Sequence, residues 1–341
     1  MHLKFEKVPS GDLTKKAEYF GVSDFARVHH SPRPDLAISK KWGPRSFFIP
    51  SRHEESVEEI DNFVVRPDDV WIVGFPKSGT TWTQEMVWQI CNDLDFEKGK
   101  SIELYERSPF LEAGTILNME SNAQSMAKID ALSSPRVIKS HLPAPLLPKG
   151  IWTVKPRIIY IARNIKDTAI SFYHLYRNIF GYRGTFNDYI EAFLGDAVLF
   201  TPLEGHITDY WNVKNESNVL FLTYEEMKKD LKEVLRKTSK FLGKTYSEDQ
   251  IKALEDHLSF SKMASNKSVN FEGHLIELST ATRSDRDMEF KFMRKGKVGS
   301  YNEEMTPEMI EQFDTQIRKR HSEYKAAPEL LDIFLGKSLV I

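Results

Sequence analysis

Four short apolar runs, each closed by a polar or proline-containing segment, punctuate the chain: Val70 to Phe75, Arg136 to Ser140, Ile158 to Ala162, and Val219 to Thr223. Continuous apolar runs of this size suit parallel strands buried on both faces. Between them the period changes. Trp82, Met86, Ile90 and Leu94 recur every four residues, with Val87 and Cys91 alongside, which predicts a helix. Met227, Leu231, Val234, Leu235, Phe241 and Leu242 form a second helical stripe, closed by Gly243. Ser247 and Gln250 make a capping box ahead of Ile251, Leu254 and Leu258. Thr306-Pro307 supplies an N-cap and a first-turn proline for a helix carrying Met309, Phe313 and Ile317. Strands alternating with helices predict an α/β fold, a doubly wound parallel sheet flanked by helices. In such sheets ligands sit beyond the carboxyl ends of the strands.

Residues 1–65 lack strong periodicity and are rich in proline, histidine and charge, as in His29-His30-Ser31-Pro32-Arg33-Pro34. They predict an irregular lead-in packed on one domain spanning residues 66–341. The chain has no internal repeat, low-complexity tract or Gly/Ser linker that would divide it.

Charge narrows the function. The formal net charge is −2, which argues against a polybasic surface for nucleic acid or membrane. An anion site must therefore be local, built from placed cations and backbone amides. Cys91 is the single cysteine, so neither an internal disulfide nor a cysteine metal cluster is expected. No apolar run reaches membrane-spanning length and the first residues do not read as a signal peptide, so the expected compartment is the cytoplasm.

The first run leads into Phe75-Pro76-Lys77-Ser78-Gly79-Thr80-Thr81-Trp82, where a helix begins at once. A tight glycine turn into a helix N-terminus offers free backbone N–H groups and the positive end of a dipole. Lys77, Ser78, Thr80 and Thr81 add donors around that anion cradle. The Walker pattern is not met, because here the lysine precedes the glycine and no hydroxyl follows a Gly-Lys pair to hold Mg²⁺. A nucleotide-dependent kinase is accordingly the weaker reading.

The second run ends in Lys139-Ser140-His141. Residues i and i+2 of an extended segment point to one side, so Lys139 and His141 can aim at one point. A cation beside an imidazole suits removal of a hydroxyl proton near developing negative charge and favours the neutral, basic ring. His174, in an aromatic helical stretch, reads as packing. The third run ends in Arg163, with Ser171 about two turns into the following helix. Both are placed to grip a phosphate, although Arg163 could equally brace the turn against Asp167. Phe292-Met293-Arg294-Lys295-Gly296-Lys297 sets cations and a glycine where a loop can wrap an anion.

In this order and spacing, from about Asp68 to about Asp314, these segments resemble the cytosolic sulfotransferase family. The resemblance implies the P-loop-like sulfotransferase fold and a metal-independent enzyme that uses the sulfuryl donor PAPS and leaves PAP. It assigns the octet from Phe75 to Trp82 to the 5′-phosphosulfate. Arg163, Ser171 and Arg294-Lys295-Gly296, with Phe292 and Met293 before them, fall to the 3′-phosphate side. Trp82, Tyr224, Phe260 and Met263 fall to the adenine side. It implies that His141 deprotonates the acceptor while Lys77 and Lys139 steady the transferring group, with Ser171 modulating Lys77. Phe110, in Ser108-Pro109-Phe110-Leu111-Glu112, and Phe172 would meet a small hydrophobic acceptor: a phenol, catecholamine, steroid or alcohol. Tyr173, Tyr176, Ile179 and Phe180 are further candidates for that wall, and the polar stretch Asn270 to Glu289 for a cap. The family's dimer motif is degenerate here, with Asn302 and Pro307 in place of its Lys and Val, so either a monomer or a homodimer is expected.

Overall fold

In a computed structural model, residues 2–9, 11, 22, 24–117, 121–273, 287 and 289–337 are described. Among the described residues, four of the seven strands match the apolar runs: β4 (Val70–Val73), β5 (Val137–Ser140), β6 (Arg157–Ala162) and β7 (Val219–Thr223). They form a parallel sheet in the order β5-β4-β6-β7. Its interior strands bury side chains on both faces, which is why they read as unbroken apolar stretches. The chain leaves β4 toward β5 and then returns to β6 on the other side. The order therefore reverses at β4, and the crevice at its carboxyl end is where such sheets bind ligands.

Helices follow the strand ends: α1 (Thr80–Cys91) after β4, α2 (Ile165–Asn178) after β6, and α3 (Tyr224–Lys229) after β7. The stripe from Met227 to Leu242 is two helices, α3 and α4 (Leu231–Phe241), because the Asp230 carboxylate accepts the Glu233 N–H and restarts the helix. Leu94 lies outside α1 with φ 63°. The box at Ser247 opens α5 (Glu248–His257), and Thr306 caps α6 (Pro307–Glu323). Most of the Asn270–Glu289 stretch, residues 274–286 and 288, lies outside the described residues.

The N-terminal segment is more ordered than its composition predicts. Strands β1 (Leu3–Lys7), β2 (Phe25–His30) and β3 (Ser46–Pro50) form an antiparallel sheet. Each has only five or six residues and is set among Pro, His and charge, too short to show a period. Phe25, Val28, Phe48 and Ile49 nevertheless join the main core. Beyond β3 the pairing continues into the body: the Phe48 N–H donates to the Thr201 carbonyl at 2.9 Å and the Phe200 N–H to that of Phe48 at 2.8 Å. Arg45 pairs with buried Asp209 at 2.7 Å.

Candidate active site

Register sets the site. Val73 pairs with Ser140 on one side and with Tyr160 on the other, so the next residues of β4 and β5, Gly74 and His141, emerge side by side. A cavity of about 260 Å³ opens at these strand ends. Its lining includes Lys77, Gly79 to Trp82, Lys139, His141, Arg163, Ser171, Tyr224, Phe260, Met263 and Phe292 to Gly296, together with Phe110 and Phe172, but not Phe75 or Ser78. The Ser78 hydroxyl is used inside the turn, donating to the Phe75 carbonyl at 2.7 Å. That bond helps to hold a loop in which Lys77 has φ 69° and Gly79 φ 115°. At Gly79 a Cβ would stand 2.9 Å from the Tyr224 ring, so glycine is needed for space as well as conformation.

On the donor side, Trp82 and Tyr224 meet edge to face at 5.7 Å, and the indole N–H donates to the Leu258 carbonyl at 2.9 Å. Phe260 packs directly against Gly296, where a Cβ would fall 2.3 Å from the ring. Arg163 stands over the Tyr224 ring at 4.3 Å and donates to the carbonyls of Lys77 (3.3 Å) and Lys297 (3.0 Å). It also lies 3.6 Å from Asp167, so the bracing pair foreseen from sequence is present. Its buried Nε has no hydrogen-bond partner among the described residues, a donor at the cavity wall that suits a phosphate. Arg294 and Lys295 pair with Glu304, which also accepts from His174 at 2.6 Å. His174 is thus bonded rather than simply packed.

Lys77 sits 3.5 Å over the Phe292 ring and Lys139 4.9 Å from that of Phe110. Burial, with Arg163, Lys139 and Arg294 close by, pulls Lys77 down to about 7. Burial pulls Lys139 down to about 8 against the attraction of Glu112. Burial and then Lys139 hold the His141 imidazole well below its ordinary range, so it is neutral near pH 7. The tautomer follows from its partner. Nδ1 lies 2.5 Å from the Gly74 carbonyl, which only accepts, so Nδ1 carries the proton and Nε2 keeps its lone pair.

The wall expected to meet the acceptor is apolar. Phe110 meets the His141 ring at 5.1 Å, and Phe172, Ile179 and Phe180 line the same space. Tyr173 packs on Phe186 and Tyr189 instead, and the Tyr176 hydroxyl accepts the Leu199 N–H, so neither belongs to the lining. Ile116, Leu175, Leu199 and Phe200 also line it and were not foreseen, and Phe271, at the start of the stretch foreseen as a cap, joins them. In the sequence they are indistinguishable from core residues. Phe200 has φ 68°, unusual for a bulky side chain. Glu112, within the flagged Phe110 segment, lies behind His141 and accepts its backbone N–H at 2.6 Å.

Comparison with known proteins identifies the family. A family model described as sulfotransferase domain matches residues 67–325. The chain is 38% identical over 296 residues to luciferin sulfotransferase of Photinus pyralis, covering 82% of this chain and 79% of that protein. It is 34% identical over 268 residues to sulfotransferase 1E1 of Homo sapiens, covering 78% and 88%. Among solved structures it is similar to retinol dehydratase in complex with retinol and PAP, at 26% identity and a TM-score of 0.80, covering 96% of this chain and 99% of that one. With the fold, the strand-end cavity and the matched domain in agreement, this chain belongs to the sulfotransferase family and is a transferase that moves sulfuryl groups to hydroxyl acceptors.

Proposed function

We propose that this enzyme transfers the sulfuryl group of PAPS to the hydroxyl of a small, apolar, uncharged acceptor, with His141 as the base. The observation that carries the reading is the neutral imidazole: its Nδ1–H is fixed on the Gly74 carbonyl, it lines the cavity, and its lone pair is on Nε2. Nε2 takes the proton of the acceptor hydroxyl as the oxygen attacks. Lys77 and Lys139, both in the cavity wall, put positive charge where the transferring group and the leaving oxygen gain negative charge. Residues 77–82, Arg163, Ser171 and the 292–296 loop would hold the donor, which supplies a sulfuryl group on a phosphate leaving group. The phenylalanine and aliphatic wall supports phenols, steroids and hydrophobic alcohols over catecholamines, whose ammonium would lie against that apolar surface. We further propose a cytoplasmic setting, in keeping with the family.

His141→Ala is expected to lower turnover by at least ~100-fold while PAP binding, followed by calorimetry, stays within about twofold. Unchanged turnover in that variant would refute the base. A panel of uncharged phenols, steroids, alcohols and catecholamines, assayed with PAPS, tests the acceptor class.

A second reading rests on the likeness to retinol dehydratase, which extends over the N-terminal sheet as well as the catalytic domain. Here the sulfate ester formed from an activated alcohol loses sulfate and a neighbouring proton to leave an alkene. Product analysis separates the two, since a stable sulfate ester supports the first and free sulfate with alkene the second.

A further inference from the structure

We infer that Glu112 is a positioning residue for sulfuryl transfer, clamping the backbone of His141 from one side while His206 clamps it from the other. The inference rests on His141 being the base.

The Glu112 side chain is fully buried, yet among the described residues no cation hydrogen-bonds it. One carboxylate oxygen accepts the His141 N–H at 2.6 Å, and the other accepts the Ser140 hydroxyl at 2.9 Å. The Ser140 oxygen in turn accepts the Leu142 N–H at 3.1 Å. One carboxylate therefore governs three successive residues where β5 ends and its regular pairing stops. Across the chain, His206 lies 2.9 Å through Nε2 from the His141 carbonyl and 2.8 Å through Nδ1 from the Tyr160 hydroxyl. A carbonyl only accepts, so His206 donates through Nε2 and Tyr160 donates to its Nδ1. The base is thus held by its amide, its carbonyl and its ring nitrogen at once.

Stability alone does not account for such a carboxylate. A buried carboxylate with no hydrogen-bonded cation is costly, and an apolar side chain of similar size is usually the cheaper filling. Burial pushes Glu112 up to about 7, opposed first by the His141 amide, then by the Ser140 hydroxyl and, more weakly, by the Lys139 charge. What the charge gives is a short, strong acceptor for one amide. The segment is also pinned: the Lys139 N–H donates to the Pro109 carbonyl and the Leu111 N–H to that of Lys139, both at 2.9 Å. The strip that presents Phe110 to the acceptor therefore also fixes the base, and small misplacements of a reacting group cost rate far more than affinity.

The test is a cycle of Glu112→Gln and His141→Ala in the full chain, with PAPS and the best acceptor of the panel above. Glu112→Gln alone should lower kcat by about 10- to 100-fold, with acceptor KM and PAP Kd within about twofold. Added to His141→Ala, it should lower the residual rate no further, because the group it positions is gone. Equal losses in both backgrounds, or an unchanged kcat in the single variant, would overturn the clamp. If Glu112→Gln does not fold, Ser140→Ala reads the same clamp, with a kcat loss of about 3- to 10-fold and the same non-additivity expected; additive losses there overturn it too. An inert Glu112→Gln beside an inactive His141→Ala sinks only the clamp, whereas an active His141→Ala sinks the base itself.

Discussion

At the scale of single residues, the feature with the widest reach is a lysine held near neutrality. Lys77 is pulled down to about 7 by burial and by neighbouring cations, so at about pH 8 it is mostly uncharged. A bound phosphate group favours the ammonium form, and PAP binding there should take up a proton. Affinity should consequently weaken as pH rises above about 7 and level off below it. Calorimetry in HEPES and in Tris at about pH 8 checks this: the binding enthalpies should differ in proportion to buffer ionisation, and Lys77→Met should remove the difference. Identical enthalpies with the unaltered enzyme would refute it. Of this chemistry the sequence showed the parts and not the settings. Lys77 was legible because a lysine in a glycine turn before a helix has a local rationale. The order of contacts around His141 was not, because Gly74, Glu112 and His206 reach it from separate elements and nothing local marks them as partners.

At the scale of elements, the site is tied together by the first turn of α2. Asp167 is fully buried and accepts the backbone N–H groups of Gly299 and Tyr301, the Ser300 hydroxyl and the Asn164 amide, at 2.8 to 3.0 Å. It joins the turn after β6 to the end of the loop that carries Arg294 and Lys295. Asp167→Asn turns an NH2 donor toward donors, and should cost about 2–4 kcal/mol in urea unfolding. It should also weaken PAP binding at least about fivefold, since each uncorrected pair of donors costs more than a kcal/mol. Wild-type stability in that variant would show the tie to be dispensable. The strands were legible because double burial writes itself as unbroken apolar sequence, and the capped helices because Ser247 and Thr306 act within one turn. The division of Met227 to Leu242 was hidden because Asp230 suits either a helix surface or a new cap, and only its bond to Glu233 decides.

At the scale of the molecule, the outer sheet and the catalytic layer share one core, with Phe25, Phe48 and Ile49 packed in the same cluster as Trp71 and Tyr160. Scanning calorimetry should therefore show one unfolding transition, with calorimetric and van't Hoff enthalpies in agreement. Two resolved transitions would make the N-terminal sheet a separate unit. That sheet escaped the sequence reading because its pairing partners lie at long range and its strands are short. Its seam with the body has a consequence for selectivity. Phe200, bent into a left-handed backbone conformation, faces the acceptor cavity while its N–H is held by Phe48. Among the described residues, the hydrogen bonds of the Lys77 and Arg163 side chains go to the 292–297 loop and the turn after β4, and none goes to that seam. The seam instead reaches the cavity at Phe200, whose ring lies 6.0 Å from that of His141. A substitution at Phe48 that shifts this strand should therefore change acceptor KM before it changes PAP binding.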